Sequence, residues 1–420
     1  MQIHTLEQEE INTMRVLITA ISGYGHLQPL LPLAKALADG GHEVAIATGP
    51  ELRPRAEAAG FTAFGSGLAI SAAFGRLAEL FPDQEYNRLE PSEILGWYLP
   101  HLFGEVMAPA MLDDLEPLVR EWQPDVILHD AWEFAGPIAA ASAGIPSISQ
   151  TLGLRFDDQI LGTIATAVAP LWQQRGLEPD LRAGLYRYLC LDITPPSLQP
   201  YDSVRYRNTI HPLRYIAQPA LPGEQLPQWI EHRREMPLVY MTLGTNFSTN
   251  GDISMFRSVI DGLGGLDIDV LITIGFDNDP ASIGLLASNV HVEPYVPQSL
   301  LLPYCSAVIC HGGAGTTLSS LALGLPLLVL PQGADQYVIG DLVLAAGAGL
   351  RLAPADVNPL SVRANVLALL DEPTWRAGAC RLQREIAAMP CPEEVVHLIE
   401  EVIATGRWAG KAASTLSTSS

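Results

Sequence analysis

His311-Gly312-Gly313-Ala314-Gly315-Thr316-Thr317 is the stretch that decides how this chain is read. It joins an apolar run, Ala307 to Cys310, with the period and length of a buried strand, to a segment that reads as a helix from about Thr316. A glycine-rich turn at such a junction leaves several backbone N–H groups without partners at the positive end of a helix dipole. That cradle binds phosphate oxygens without a metal or many basic side chains. The imidazole before it can donate one more hydrogen bond to the same anion. A second apolar strand, Leu325 to Leu330, follows, and then Pro331-Gln332-Gly333-Ala334-Asp335-Gln336. A glycine turn alone is as often an ordinary strand-to-helix connection. A His before the turn and an Asp-Gln pair after the next strand mark this one as a site.

Outward from this unit, strands and helices alternate in both halves of the chain. Arg15–Ser22 (RVLITAIS), a glycine turn, a helix from about Leu27 to Asp39 and the strand Glu43–Thr48 make the first unit. The strand Asp125–His129 then feeds a helix from Phe134 to Ala143 and a strand opening at Pro146. The pattern restarts with Pro237–Gly244, Asp269–Gly275, Val290–Val296, Ala307–Cys310 and Leu325–Leu330. Near-continuous apolar strands alternating with helices predict parallel sheets covered on both faces. The expected fold is α/β, with two doubly wound, Rossmann-like domains at 14–215 and 237–390. Between them, residues 213–236 are proline-rich without a strand pattern, and 216–236 reads as the linker. Residues 1–13 are polar and acidic, unlike a signal peptide, and read as a disordered leader. An amphipathic helix is expected within 391–408, and 409–420 reads as a low-complexity, disordered tail.

Composition excludes several functions. The chain has 420 residues, 48% of them hydrophobic and 17% charged, as in a soluble globular protein with ample core. Its net charge of −22 argues against nucleic acid and anionic membranes, which need basic surface. No apolar stretch is long enough to insert in a bilayer. The five cysteines are odd in number and lack CxxC spacing, which predicts free thiols, a cytoplasmic protein and no zinc. The sequence also lacks a G-x-S-x-G elbow, an H-E-x-x-H helix and a P-loop lysine.

Taken together, HGGAGTT…PQGADQ resembles the nucleotide-sugar signature of inverting glycosyltransferases with the two-domain GT-B architecture. The likeness is greatest to the family 1 bacterial enzymes that glycosylate macrolides, aromatic polyketides and enediynes. It spans residues 14–405 and is strongest at 311–336. It implies two domains facing one cleft, with the last helix crossing back onto the first domain. It places a dTDP- or UDP-sugar on His311, Gly313, Ala314, Gly315 and Thr316, with Asp335 and Gln336 on sugar hydroxyls. Thr242–Thr245 resembles the family's phosphate-facing turn, with Thr245 as the hydroxyl. Tyr295–Gln298 is similar to the stretch whose backbone pairs with the pyrimidine, which brings in Val296 and Gln298; plant relatives carry a stacking Trp at the position of Val296. No cofactor beyond the donor sugar nucleotide and no metal are implied, and a homodimer stays open.

The first turn, Ser22-Gly23-Tyr24-Gly25-His26-Leu27-Gln28-Pro29, has the G-x-G of a dinucleotide fingerprint but Gln28 where the third glycine belongs. The second strand ends at Thr48 and not at an acidic residue, so NAD binding is not expected. In similar glycosyltransferases the His of a G-x-G-H-x-x-P turn deprotonates the acceptor hydroxyl, which points to His26, with Gly25 beside it on the donor side. An imidazole titrates near neutrality and can take an alcohol proton as the new C–O bond forms. A carboxylate that orients the ring stabilises the imidazolium, and Asp130 matches the family's aspartate. The structural alternatives are a turn histidine bonded to backbone for His26 and a helix N-cap for Asp130.

Asp267-Ile268-Asp269 has the look of a D-x-D metal motif but reads as solvated charge at a strand entry. No Glu occurs between Glu293 and Glu372, whereas retaining members of the fold carry paired glutamates there; this favours inversion. For the acceptor, aromatic residues over 66–105 and 151–190 fit a broad apolar pocket: Trp97, Phe103, Trp132, Phe134 and Phe156 foremost, with Phe74, Phe81, Tyr98 and Trp172. The reading is therefore metal-independent, inverting transfer of a hexose or deoxyhexose to a hydroxyl of a hydrophobic small molecule. A sugar-nucleotide epimerase on the same fold and a non-catalytic helper of a partner transferase are the alternatives.

Overall fold

A computed structural model describes residues 13–82, 91–200, 208–220, 223–233, 235–244, 254–275 and 278–406. The expected tail at 409–420, nearly all of the expected leader, and Thr245 lie outside the described residues.

Two parallel sheets form. The first has seven strands: β1 (Arg15–Ala20), β2 (Glu43–Thr48), β3 (Thr62–Gly65), β4 (Val126–Asp130), β5 (Ser147–Gln150), β6 (Leu189–Asp192) and β7 (Ile210–Pro212). Their order is β3-β2-β1-β4-β5-β6-β7. The second has six: β8 (Leu238–Thr242), β9 (Asp269–Thr273), β10 (Val290–Glu293), β11 (Ala307–Cys310), β12 (Leu327–Val329) and β13 (Gly349–Arg351), in the order β10-β9-β8-β11-β12-β13. In each sheet the central strands bury both faces, as β4 and β8 do at every position. This is why they read as unbroken apolar runs and not as alternation. The chain winds outward from β1 in one direction, then from β4 in the other, and β8 and β11 repeat the arrangement. Each sheet thus has a topological switch point, with a crevice at the carboxyl ends of the two central strands.

The final helix, Pro392–Thr405, buries Val395, Leu398, Ile399 and Val402. It packs on the helix Leu31–Asp39 of the first sheet's layer, and His42 Nε2 stands 3.3 Å from Glu400 Oε1 beside it. Among the described residues, no helix is long and apolar enough to cross a membrane. All five cysteines are free.

The structure corrects several boundaries. The first helix does not begin at Leu27. A helical turn already forms at Tyr24–Leu27, tightens into 3₁₀ geometry at Gln28–Leu30 and resumes at Leu31–Asp39. Pro29 and Pro32 cannot donate to an α-helical ladder, yet both sit at a first or second position where no donor is needed. The helix expected near Thr316 starts at Ala314, with Gly313 as N-cap. Four strands escaped the pattern, β3, β6, β7 and β13. Each has only three or four residues, too few for a periodicity to show.

Candidate functional site

The first crevice opens between β1 and β4. β1 leads to Gly23, whose carbonyl accepts from the N–H groups of His26 and Leu27 and starts the helical turn. The imidazole of His26 folds back over Gly23, where a Cβ would stand 2.8 Å from its Cδ2. β4 ends on Asp130, which is completely buried. One carboxylate oxygen accepts from the Ile21 N–H at 3.0 Å and the other from the Trp132 N–H at 2.6 Å. The second oxygen also faces His26 Nδ1 at 3.4 Å. Asp130 therefore orients the ring and braces the turn at once. It does not cap the following helix, Ala135–Ala143, whose N-cap is Phe134 and whose first N–H groups are taken by Glu133 just before it. The Glu133 carboxylate accepts from the N–H groups of Ala135 and Gly136 and from Thr19 Oγ1 of β1. Burial pushes the Glu133 carboxyl up to about 7, against the hydrogen bond from Thr19. His129, buried beneath, is pushed down to about 4 by desolvation.

Aromatic rings surround the imidazole. Trp132 meets His26 edge-on at 5.5 Å between centroids, and Phe103 lies 6.3 Å from it. Phe103 and Trp132 are 5.2 Å apart, and Phe156 extends the row 5.9 Å beyond Trp132. Phe103 reaches this position from a π-helical stretch, Leu99–Met107, a geometry that concentrates at functional sites. Beside this group, a small cavity is lined by Ile21, Ser22, Ser66, Phe103, Glu133 and Phe134 among others. Of the remaining aromatic candidates, Trp97 packs with Phe81 and Tyr98 in a separate group, and Phe74 sits half-exposed against Tyr98. Trp172 is a correction. Its indole is fully enclosed in the core, on the inner face of the helix Asp158–Gln173.

The second crevice opens between β8 and β11. His311 follows β11, and its ring is enclosed between two glycines. A Cβ on Gly313 would stand 2.4 Å from His311 Nε2, and one on Gly244 2.7 Å from its Cε1. Gly312 adopts a φ of +91° that side chains rarely tolerate. Burial pushes the His311 imidazole down to about 4, so the ring is neutral at ordinary pH and acts as a single N–H donor. The helix Ala314–Ala322 has no side-chain cap, which leaves its first N–H groups to an anion. Gln298 Nε2 reaches Thr316 Oγ1 at 3.2 Å. Val296 is buried.

β12 leads into residues 331–335, where Ala334 takes a left-handed φ of +52°, a strained setting typical of ligand loops. Gln336 Oε1 accepts from the N–H groups of Gln332 and Gly333, so this side chain shapes the turn. Asp335 makes no cap bond to its own helix. Burial raises its carboxyl to about 6, and the nearby His26 works in the opposite direction. His26 and Asp335 come from opposite domains, so the two crevices face each other. Asp267 and Asp269 stand at the amino-terminal entry of β9, the sheet edge away from the His311 loop. Among the described residues, no cluster of three or more His, Cys, Asp or Glu could hold a metal ion.

Three contributions were not anticipated from sequence. Glu133 looks like a turn residue before a helix, and only an acidic residue two positions ahead of Ala135 hints at a cap. Gly244 encloses His311 from a distant loop. Tyr215, from the segment after β7, places its hydroxyl 3.2 Å from the Gly315 carbonyl and 2.9 Å from Ser319 Oγ, bracing the helix Ala314–Ala322 from outside.

Comparison with known proteins agrees with this fold. Residues 35–244 match the family model for the N-terminal domain of erythromycin biosynthesis protein CIII-like proteins, and residues 257–402 match the model for their C-terminal domain. The chain is 30% identical to aclacinomycin-T 2-deoxy-L-fucose transferase of Streptomyces galilaeus, over 94% of this chain and 97% of that protein. Among solved structures, glycosyltransferase VinC in complex with dTDP is similar with a TM-score of 0.75 at 28% identity, covering 93% of this chain and 100% of VinC. Spinosyn rhamnosyltransferase SpnG complexed with spinosyn aglycone matches with a TM-score of 0.75 at 27% identity, over 92% of this chain and 100% of that one.

Proposed function

Since the chain belongs to the erythromycin biosynthesis protein CIII-like family of GT-B glycosyltransferases, we propose that it moves a hexose or deoxyhexose from a dTDP- or UDP-sugar to a hydroxyl of a hydrophobic polyketide, macrolide or enediyne aglycone, with inversion and without a metal. The observation that carries this reading is the opposition of His26, oriented by Asp130 at 3.4 Å, to the His311 and Asp335 loops across the cleft. His26 takes the acceptor proton as the acceptor oxygen attacks the anomeric carbon, and Asp130 stabilises the imidazolium that forms. The leaving diphosphate is held by the His311 N–H and the N–H groups of Gly313 to Thr316, which meet its growing charge with preorganised dipoles. Asp335 is the carboxylate for sugar hydroxyls; Gly25 and Gln298 lie on the donor side, and Gln336 holds the Asp335 loop. Trp132, Phe103 and Phe156 form the wall nearest the reacting hydroxyl, with Phe134 beneath them and Trp97 further out. The dTDP bound to VinC and the aglycone bound to SpnG support a dTDP donor and an apolar acceptor.

Relatives named as transferases do not favour the epimerase or helper alternatives. The test is a thermal-shift screen of dTDP, UDP and their sugars, followed by product analysis with an aglycone panel. Stabilisation by a nucleotide and an acceptor-dependent glycoside of inverted anomeric configuration are expected. A retained configuration refutes the mechanism; sugar-nucleotide isomerisation without acceptor refutes the function.

A further inference from the structure

The loop from β5 to the helix Asp158–Gln173 touches the anion-binding helix directly. Gly153 is buried at its tip, and a Cβ there would stand 2.7 Å from the Ala314 Cβ and 3.8 Å from Asp335 Oδ2. The φ of Gly153 is not positive, so its own backbone would accept any side chain. What forbids one is the first residue of the opposite domain's donor helix.

The loop is also firmly held. Thr194 Oγ1 donates to the Gly153 carbonyl at 2.8 Å. Thr151 Oγ1 donates to Asp192 Oδ1 at 3.0 Å and accepts from the Ile193 N–H. Arg155 pairs with Asp192 Oδ2 at 2.9 Å, and its N–H donates to Gln199 Oε1. Asp192 is almost wholly buried at the end of β6, and losing any one partner would leave polar groups unpaired in the interior. A loop so braced is a rigid post.

We propose that Gly153 is a positioning residue: its bare backbone is the stop against which Ala314 seats, and it sets the distance between His26 and the donor. The proposal rests on the donor and base roles given above. A methyl group at position 153 must push Ala314 back by the better part of an ångström to reach ordinary contact. The donor travels with that helix, while His26 and Asp130 belong to the first domain and stay behind.

The test measures dTDP affinity by calorimetry and turnover with the dTDP-sugar and aglycone pair best used by the wild type. Gly153→Ala is expected to keep dTDP affinity within about threefold and to lose roughly 10²-fold in kcat, the usual effect of about 1 Å of misplacement. Adding Ala314→Gly removes the colliding methyl and is expected to recover at least about tenfold of that loss. Thr194→Val, which frees the Gly153 carbonyl without changing side-chain shape, is expected to lower kcat with dTDP affinity unchanged; it serves if Gly153→Ala does not fold. Near-normal kcat in Gly153→Ala, or a loss that Ala314→Gly does not relieve in protein that binds dTDP, overturns the proposal. A wild type that binds no nucleotide refutes the underlying function instead. If the wild type binds dTDP but turns over no pair, the Gly153–Ala314 spacing in crystals of the dTDP-bound variants decides: unchanged separation of the two loops in Gly153→Ala overturns the inference.

Discussion

Removing His26 separates the chemical step from everything else the cleft does. Its imidazole is the group that meets Asp130 at 3.4 Å, and its side chain is only 18% exposed. A unit charge pair about 4 Å apart at an effective dielectric near 20 is worth roughly 4 kcal/mol. Partial exposure of the ring reduces that to about 2–3 kcal/mol, or some 30- to 150-fold of the rate. Loss of the base itself costs about 10²- to 10⁴-fold. His26→Ala should therefore fall in that larger range, with dTDP affinity nearly unchanged because the other domain holds the nucleotide. Asp130→Asn is a compound change. Both carboxylate oxygens accept backbone N–H groups, from Ile21 and Trp132, and an amide nitrogen cannot accept. It should lower stability by about 1–3 kcal/mol as well as slow turnover, so its rate is to be read only in protein shown to be folded. The double variant should be little slower than His26→Ala alone, since the two residues act as one unit. The assay is single-turnover glycosylation of an aliphatic and a phenolic acceptor, and the phenol should suffer less because it gives up its proton more readily. Near-normal turnover of the aliphatic acceptor by His26→Ala would refute the reasoning, whatever becomes of the donor site.

His311→Ala should weaken dTDP or UDP binding roughly 10- to 100-fold, the equivalent of a lost hydrogen bond of about 1.5–3 kcal/mol; unchanged affinity by calorimetry in folded protein would contradict the phosphate role. Turnover should persist in excess EDTA, because the helix terminus, its N–H groups and His311 stand where a cation would act; activity abolished by EDTA and restored by magnesium or manganese would count decisively against this. Burial holds His129 and His311 near 4, below the ordinary 6.5. The folded state then binds fewer protons than the unfolded chain, and these two groups make stability rise with pH between about 4 and 6.5. Glu133, raised from 4.5 to about 7, acts in the opposite sense and makes stability fall as pH rises between those two values. Glu133→Gln should therefore steepen the gain in urea midpoint between pH 5 and pH 7, and an unaltered gain would show that Glu133 does not titrate there.

Much of the site was legible because its chemistry is carried by short local motifs. The His311 loop and the His26 turn each announce themselves within a few residues, and the family resemblance supplied Asp130 as the partner of His26, at the carboxyl edge of an open sheet where such sites lie. The apolar runs of β1, β4, β8 and β11 were readable for the same reason, since a strand buried on both faces needs no partner to reveal it. What escaped depends on distant parts of the chain. Trp132 and Trp172 are both aromatic candidates in sequence, and only the facing of two elements decides that one borders His26 and the other fills the core. Glu133 is a charged residue in a turn until Thr19, more than a hundred residues away, is seen to donate to it. Gly153 carries no signal in its own neighbourhood at all, because the atom that excludes a side chain there belongs to the other domain.

The electrostatics of the cleft follow from the same division. A chain with 46 acidic and 24 basic residues repels a sugar nucleotide at long range, so attraction must arise from groups that act only at contact. The crevice between β8 and β11, the proposed donor site, offers groups of that kind. His311 is kept neutral by burial, the helix Ala314–Ala322 presents uncapped N–H groups, and the buried Arg155 is already paired with Asp192. A free arginine there would bind the diphosphate more tightly before transfer, but much of that gain would fall equally on substrate and transition state and leave the chemical step no faster. Dipoles fixed in a dry crevice instead strengthen as charge moves onto the leaving oxygen, with no reorganisation required. A proposed donor site built on a neutral His311 and a helix terminus is thus compatible with catalysis, and it places the burden of selectivity on the geometry of the turn and on how closely Gly153 lets it approach His26.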